Sequence, residues 1–174
     1  MTSWANALEK GGFRRAIAGD RDFFAAVNAM ERITENNMGL IVAGEYGTGK
    51  TCFLKAIMPY FREKPKYINL SDPDDVDRLS DRSMEFWGDN LYERNIILDD
   101  LGAEKPINDY GVLYEPAAEF IIRYYDIGKK RMIIATNLNT PQLDDRHGGR
   151  LLSRLREKCY PLHFTGKDKR QWQI

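Results

Sequence analysis

Gly44-Glu45-Tyr46-Gly47-Thr48-Gly49-Lys50-Thr51 follows the apolar run Leu40-Ile41-Val42-Ala43 and leads into Cys52-Phe53-Leu54-Lys55-Ala56-Ile57. A strand, a glycine-rich turn and Lys-Thr at a helix start make the phosphate-binding P-loop pattern, G-x-x-x-x-G-K-S/T. Glycines let successive backbone N–H groups curl around an anion, and the helix N-terminus adds partial positive charge. Lys50 is then placed to reach β- and γ-phosphates, and Thr51 to offer its hydroxyl to Mg²⁺. The candidate cradle is Gly44, Tyr46, Gly47, Thr48, Gly49, Lys50, Thr51 and the adjoining Cys52. The side chain of Cys52 reads as small packing rather than as a reactive thiol. A chance glycine turn would not match all eight positions and both flanks.

Around that loop the composition is ordinary. The 174 residues are 43% hydrophobic and 30% charged, with a formal net charge of zero. That length fits one domain able to bury a core, divided into a leading segment and helix (1–37) and a P-loop core (38–174). A zero net charge sets up no global field towards nucleic acid or membrane. No apolar run reaches the length of a membrane span, and the N-terminus lacks a basic-then-apolar secretion signal. Cys52 and Cys159 are too few and too scattered for a disulfide framework or a cysteine zinc site. The composition reads as that of a cytoplasmic protein.

Along the chain, residues 1–19 show no clear periodicity, with Phe13 and Ile17 as docking points. From Asp20, read as an N-cap, Phe23, Phe24, Val27, Met30 and Ile33 recur at helical spacing. A second helix is expected from Thr51 to about Phe61, and a short strand at Lys66–Leu70. The acidic stretch 71–82 reads as a solvated connection with a helical turn or two. Asn95-Ile96-Ile97-Leu98-Asp99-Asp100 is a buried-type strand ending in two carboxylates. Residues 103–111 read as a loop, and 115–128 as a helix stopped by Gly128. A strand at 131–135 ends in Thr136-Asn137. An arginine-rich helix is expected at 149–158, and a last strand at 160–165, at an edge because it holds Pro161. Five strands alternating with helices predict a parallel α/β sheet.

In such a sheet, ligands bind at the carboxyl ends of the strands. Three strands deliver polar groups there: the P-loop after Ala43, Asp99-Asp100 after Leu98, and Asn137 after Thr136. Asp99 is placed to hold Mg²⁺ through its water shell, and Asp100 to polarise a water as general base. Adjacent carboxylates at a buried strand end repel unless a cation joins them. Asn137 offers a neutral amide that can orient water or touch a γ-phosphate. Arg150, Arg154 and Arg156 fit either a salt-bridged surface helix or a guanidinium sent to a phosphate, in their own subunit or a neighbour's. His147 and His163 read as packing or solvent residues. Lys129-Lys130-Arg131 and Lys167-Asp168-Lys169-Arg170 are candidate patches for nucleic-acid phosphates, or equally helix-end charges and solvated turns.

Taken in order, Gly44–Thr51, Ile-Leu-Asp-Asp-Leu-Gly (97–102), Ile-Ala-Thr-Asn-Leu (134–138), Arg-Leu-Leu-Ser-Arg-Leu (150–155) and Phe-Thr-Gly-Lys-Asp-Lys-Arg (164–170) resemble the AAA+ ATPase core of the DnaC/IstB family. That family contains helicase loaders and transposon helper ATPases. The resemblance covers roughly residues 38–170. It implies a five-stranded AAA+ sheet flanked by helices, with ATP and Mg²⁺ as ligands and turnover to ADP. It implies Asn137 as the sensor-1 residue, Arg154 as a finger acting in a neighbour's site, and Arg170 as a late sensor-2 arginine. It further implies a homo-oligomeric ring or spiral acting on single-stranded DNA or a replicative helicase. Two departures are expected. About forty residues before the P-loop are too few for the usual partner-binding domain, and the chain stops without a C-terminal helical lid.

Overall fold

The computed structural model describes residues 4–14, 19–80, 94–109, 111–127 and 131–166. In chain order these form α1 (Trp4–Lys10), α2 (Asp20–Asn36), β1 (Gly39–Gly44) and α3 (Lys50–Ile57), the last extended by a 3-10 turn at Met58–Tyr60. Then come β2 (Lys66–Asn69), α4 (Pro73–Ser80), β3 (Ile96–Leu101), β4 (Ile107–Asp109) and β5 (Val112–Tyr114). The described chain closes with α5 (Pro116–Ile127), β6 (Met132–Thr136), α6 (Thr140–Lys158) and β7 (Cys159–Phe164).

The five-stranded sheet has the order β2-β3-β6-β1-β7, with every pairing parallel. Parallel sheets are covered on both faces, so their inner strands are apolar at every position rather than at alternate ones. All five residues of β6 are buried. Alternation instead decides which face each residue serves. Leu40, Val42, Ile97, Ile133 and Ala135 join a core with α1, α2 and α3. Ile96, Leu98, Met132 and Ile134 join the opposite core, with α4, α5 and α6. The stretch before β1 therefore packs into the same core as the P-loop strand, through Leu8, Phe13 and Phe23.

The sheet and its edge strand are as expected, with β7 pairing β1 alone and Pro161 in register with Ile41. Several local readings are corrected. Gly19 is the N-cap of α2 and makes no side-chain cap bond, so Asp20 is the first helical residue and not the cap. Phe24 is turned out to solvent, at 46% exposure, while Phe23 takes the core position. The 103–111 loop contains β4, which pairs antiparallel with β5 as a hairpin. Only three residues per strand, with Pro106 ahead of them, left no alternation to read. The arginine helix starts at Thr140, nine residues earlier than expected, behind a capping box in which Asn139 and Gln142 satisfy each other's backbone N–H. Gly148, at φ 78°, breaks it, and this is why the pattern before Gly149 reads as non-helical. Gly128, Ile17, Lys129-Lys130 and residues 167–174, Arg170 included, lie outside the described residues. Among the described residues, no helix is long and apolar enough to cross a membrane.

Candidate functional site

β1, β6 and β3 end side by side, so the P-loop, Asn137 and Asp99-Asp100 share one edge of the sheet. The P-loop leaves β1 at Gly44, where a side chain would collide with the Phe164 carbonyl at 2.7 Å. Gly49, at φ 97°, turns the chain into α3 through a conformation that costs an L-residue strain. The loop is tied by its own side chains. Lys50 Nζ donates to the carbonyls of Gly44 and Glu45, both at 2.8 Å, and Thr48 Oγ1 donates to the Glu45 carbonyl at 2.8 Å. Lys50 and Thr48 are both buried, at 5% and 1% exposure. Thr51, half-buried, is the second residue of α3. Tyr46 stands out from the loop at 66% exposure. The Cys52 thiol donates to the Gly12 carbonyl at 3.6 Å, which makes it a packing residue as the sequence suggests.

At the end of β3 the register with β6 shifts between Leu98 and Leu101, and Asp100 takes φ 60°. Such bulges re-aim side chains, and non-glycine residues in this region store strain that surrounding structure must hold. Asp100 Oδ1 here accepts from Asn137 Nδ2 at 3.3 Å, joining the two neighbouring strand ends. Thr136 Oγ1 fixes the junction by donating to the Leu101 carbonyl and accepting from the Leu138 N–H. Burial and then the neighbouring Asp99 charge push the Asp100 carboxyl above its ordinary value, while the Asn137 bond and the Lys50 charge oppose this. Asp99 is 2% exposed. Its Oδ2 accepts from the Tyr67 hydroxyl at 2.6 Å, and its Oδ1 from the Asp100 N–H at 3.1 Å. Burial and that bond to Asp99 push the Tyr67 phenol well up.

A cavity of about 740 Å³ opens beside this edge, between the ends of β6, β1 and β7. Gly44, Glu45, Asn137, Asn139, His163 and Thr165 are among its lining residues. The far wall is held by Asp22, a buried carboxylate of α2 that accepts from the N–H groups of Thr165 and Gly166 and from the Thr165 hydroxyl. The donor set fits a magnesium nucleotide: a buried lysine, a threonine at a helix start and a buried aspartate are hard-cation and phosphate partners.

Sequence reasoning brought Lys50, Asp99, Asp100 and Asn137 together, and the structure does the same. It missed Tyr67 and Asp22. Tyr67 is a strand residue whose hydroxyl is unremarkable until β2 is laid beside β3. Asp22 did carry a signal, as a carboxylate in line with Ala26 and Ala29 on a helix face that is otherwise apolar. Arg154 stands apart from the P-loop edge. Its guanidinium pairs with Asp126 at 2.7 Å and Glu157 at 3.1 Å on the faces of α5 and α6. The His147 side chain is fully buried between two carboxylates.

Among solved structures the chain is similar to the DnaC helicase loader, at 22% identity and a TM-score of 0.59, covering 82% of this chain and 90% of that one. It is also similar to NtrX from Brucella abortus, solved in complex with ATP, at 17% identity and a TM-score of 0.57. There the match covers 85% of this chain and 38% of the larger NtrX chain. No family model and no curated protein matches. Both likenesses are of fold: a five-stranded parallel sheet with helices on both faces and the P-loop after β1.

Proposed function

We propose that this chain binds ATP with Mg²⁺ at the P-loop edge and hydrolyses it as an AAA+ ATPase of helicase-loader type. The observation that carries the reading is the meeting of Lys50, Asp99, Asp100 and Asn137 on three adjoining strand ends. In the proposed roles, Gly44–Cys52 wrap the phosphates through backbone N–H groups, and Lys50 turns from its loop carbonyls to the β- and γ-oxygens. Thr51 and Asp99 would hold Mg²⁺, which when bound would supply positive charge beside the phosphates. Asp100 accepts a proton from the attacking water, and Asn137 fixes the orientation of that carboxylate and of the water.

Arg154 serves a neighbouring copy in this reading. Its ion pairs with Asp126 and Glu157 hold it half-exposed on the surface, where an oligomer can bring it to the next P-loop. Arg170 would act as the late arginine over the phosphates. The likeness to a helicase loader, over most of that chain, supports single-stranded DNA or a replicative helicase as client in DNA replication. The alternative client class is the transposition-helper role that the DnaC/IstB resemblance carries. Arg154 pairs with Asp126 and Glu157 rather than at its own P-loop, and this favours a further reading: a weak ATPase alone, with ATP acting mainly as an assembly switch.

The test is nucleotide binding and phosphate release by the purified chain, with and without single-stranded DNA. Wild type is expected to bind ATP, to oligomerise with it and to release phosphate to water. Lys50→Ala is expected to lose binding by at least about tenfold, since a charge-assisted contact to phosphate is removed. Equal ATP affinity in wild type and Lys50→Ala would end the proposal. Transfer of the γ-phosphate to a small molecule would replace it with a kinase.

A further inference from the structure

On the α5–α6 side of the sheet lies a second buried polar cluster. Glu104 follows the turn after β3, Glu115 precedes α5, and His147 sits in α6 just before the break at Gly148. The side chains of Glu104 and His147 are fully buried, and that of Glu115 is 20% exposed. His147 Nε2 lies 3.6 Å from Glu104 Oε1, and Nδ1 lies 3.5 Å from Glu115 Oε2. Both separations are too long for good hydrogen bonds. Glu104 Oε1, Glu115 Oε2, Arg146 Nε and both His147 ring nitrogens are buried without a hydrogen-bond partner. Buried polar groups are nearly always satisfied, so five such atoms facing one another call for a missing partner.

We propose that Glu104, Glu115 and His147 form a binding site for a divalent first-row metal ion of the zinc type. One ligand atom from each residue lies within 4.8 Å of the other two. Zinc–nitrogen and zinc–oxygen bonds near 2 Å put tetrahedral ligands about 3.4 Å apart. His147 Nε2 and Glu104 Oε1, 3.6 Å apart, are already close to that value. The remaining closure falls on Glu115, the least confined of the three. An imidazole with two carboxylates is a borderline set that suits zinc better than Mg²⁺. One ring nitrogen ligates while the other keeps its proton, as in metal-bound histidines.

The charges agree. Arg146 donates to the Glu104 carbonyl and lies 3.9 Å from Glu115, so it neutralises one of the two carboxylates. The cluster stays net negative while the imidazole is neutral. The ion would pin the two ends of the β4–β5 hairpin to α6, a role separate from the P-loop edge.

The experiment uses the full chain stripped by chelator and titrated with Co²⁺, then Zn²⁺. Expected are visible Co²⁺ ligand-field bands saturating at one equivalent, displacement by Zn²⁺, and a higher melting temperature with Zn²⁺. Glu104→Gln and His147→Asn should each weaken binding by at least about tenfold, the scale of loss seen even for groups behind the ligands. Asp99→Asn should keep the bands, which separates this site from the nucleotide's Mg²⁺. Wild-type protein without a one-equivalent signal overturns the proposal whatever the variants do. So do bands that survive both variants, or bands lost only in Asp99→Asn.

Discussion

Two buried polar clusters lie at either end of the short segment from Asp99 to Glu104, and they are built in opposite ways. At Asp99-Asp100, Tyr67, Asn137 and a backbone N–H each donate at hydrogen-bond distance. At Glu104, the facing atoms of Glu115 and His147 stand 3.5–3.6 Å apart with no hydrogen bond between them. The first cluster is organised by protein alone, and its strain is held by the β3–β6 junction. The second has its groups at the spacing of a shared ligand. Proximity of charged groups thus means different things, and the hydrogen-bond inventory separates them.

The largest effect that can break this contrast is on turnover. Asp100→Asn keeps the Asn137 neighbour but removes the proposed base, and should lower phosphate release by about 10²–10⁴-fold with ATP affinity nearly unchanged. Because Asp100 is raised above 3.8, the base is lost to protonation at a higher pH than for an ordinary aspartate. The acid limb of the wild-type rate should reflect this. A limb at the ordinary aspartate position would show that Asp100 is not the base.

A smaller effect concerns the second cluster in chelator-treated protein. The folded state refuses His147 a proton until about 4, while the unfolded chain accepts it near 6.5. Acid therefore favours unfolding across that window, by about 2 kcal/mol between pH 7 and pH 5. Urea titrations at the two pH values should show that loss in wild type and not in His147→Asn. The same loss in both would place the titrating group elsewhere. The glutamates act in the opposite sense, losing stability as pH rises through their raised values, and are common to both proteins.

The smallest effect tests how the first cluster is held. Tyr67→Phe deletes one hydrogen bond to Asp99, worth about 1 kcal/mol. The Mg²⁺ concentration needed for half-maximal turnover should shift several-fold, with metal-free nucleotide affinity unchanged. An unaltered Mg²⁺ dependence would reduce Tyr67 to packing.

These clusters also mark how far the sequence could be read. Gly44–Thr51 and Asp99-Asp100 are local signals, with spacing and strand context both contained within a few residues. The parallel sheet followed from apolar runs that needed no partner to be recognised. Glu104, Glu115 and His147 come from three segments, joined by a hairpin too short for periodicity and by a helix whose Gly148 break hid its first half. Tyr67 and Asp22 were unreadable as partners for a related reason: Asp99 and Thr165 reach them only after the strands are ordered. Even Arg154, placed correctly on a helix, took its Asp126 partner from a different element.

The Asp22 clasp bears on how the molecule is made. It links residues 143 and 144 positions apart, and β7 closes beside β1 in the same movement. During synthesis β1 emerges early and waits, one flank unpaired, until the last strand arrives. Pairings so distant in sequence form slowly, and an unpaired strand edge invites another chain. A buried carboxylate already fixed on α2 gives the late strand a defined landing point. The cavity beside the P-loop edge gains its far wall only once β7 is in place.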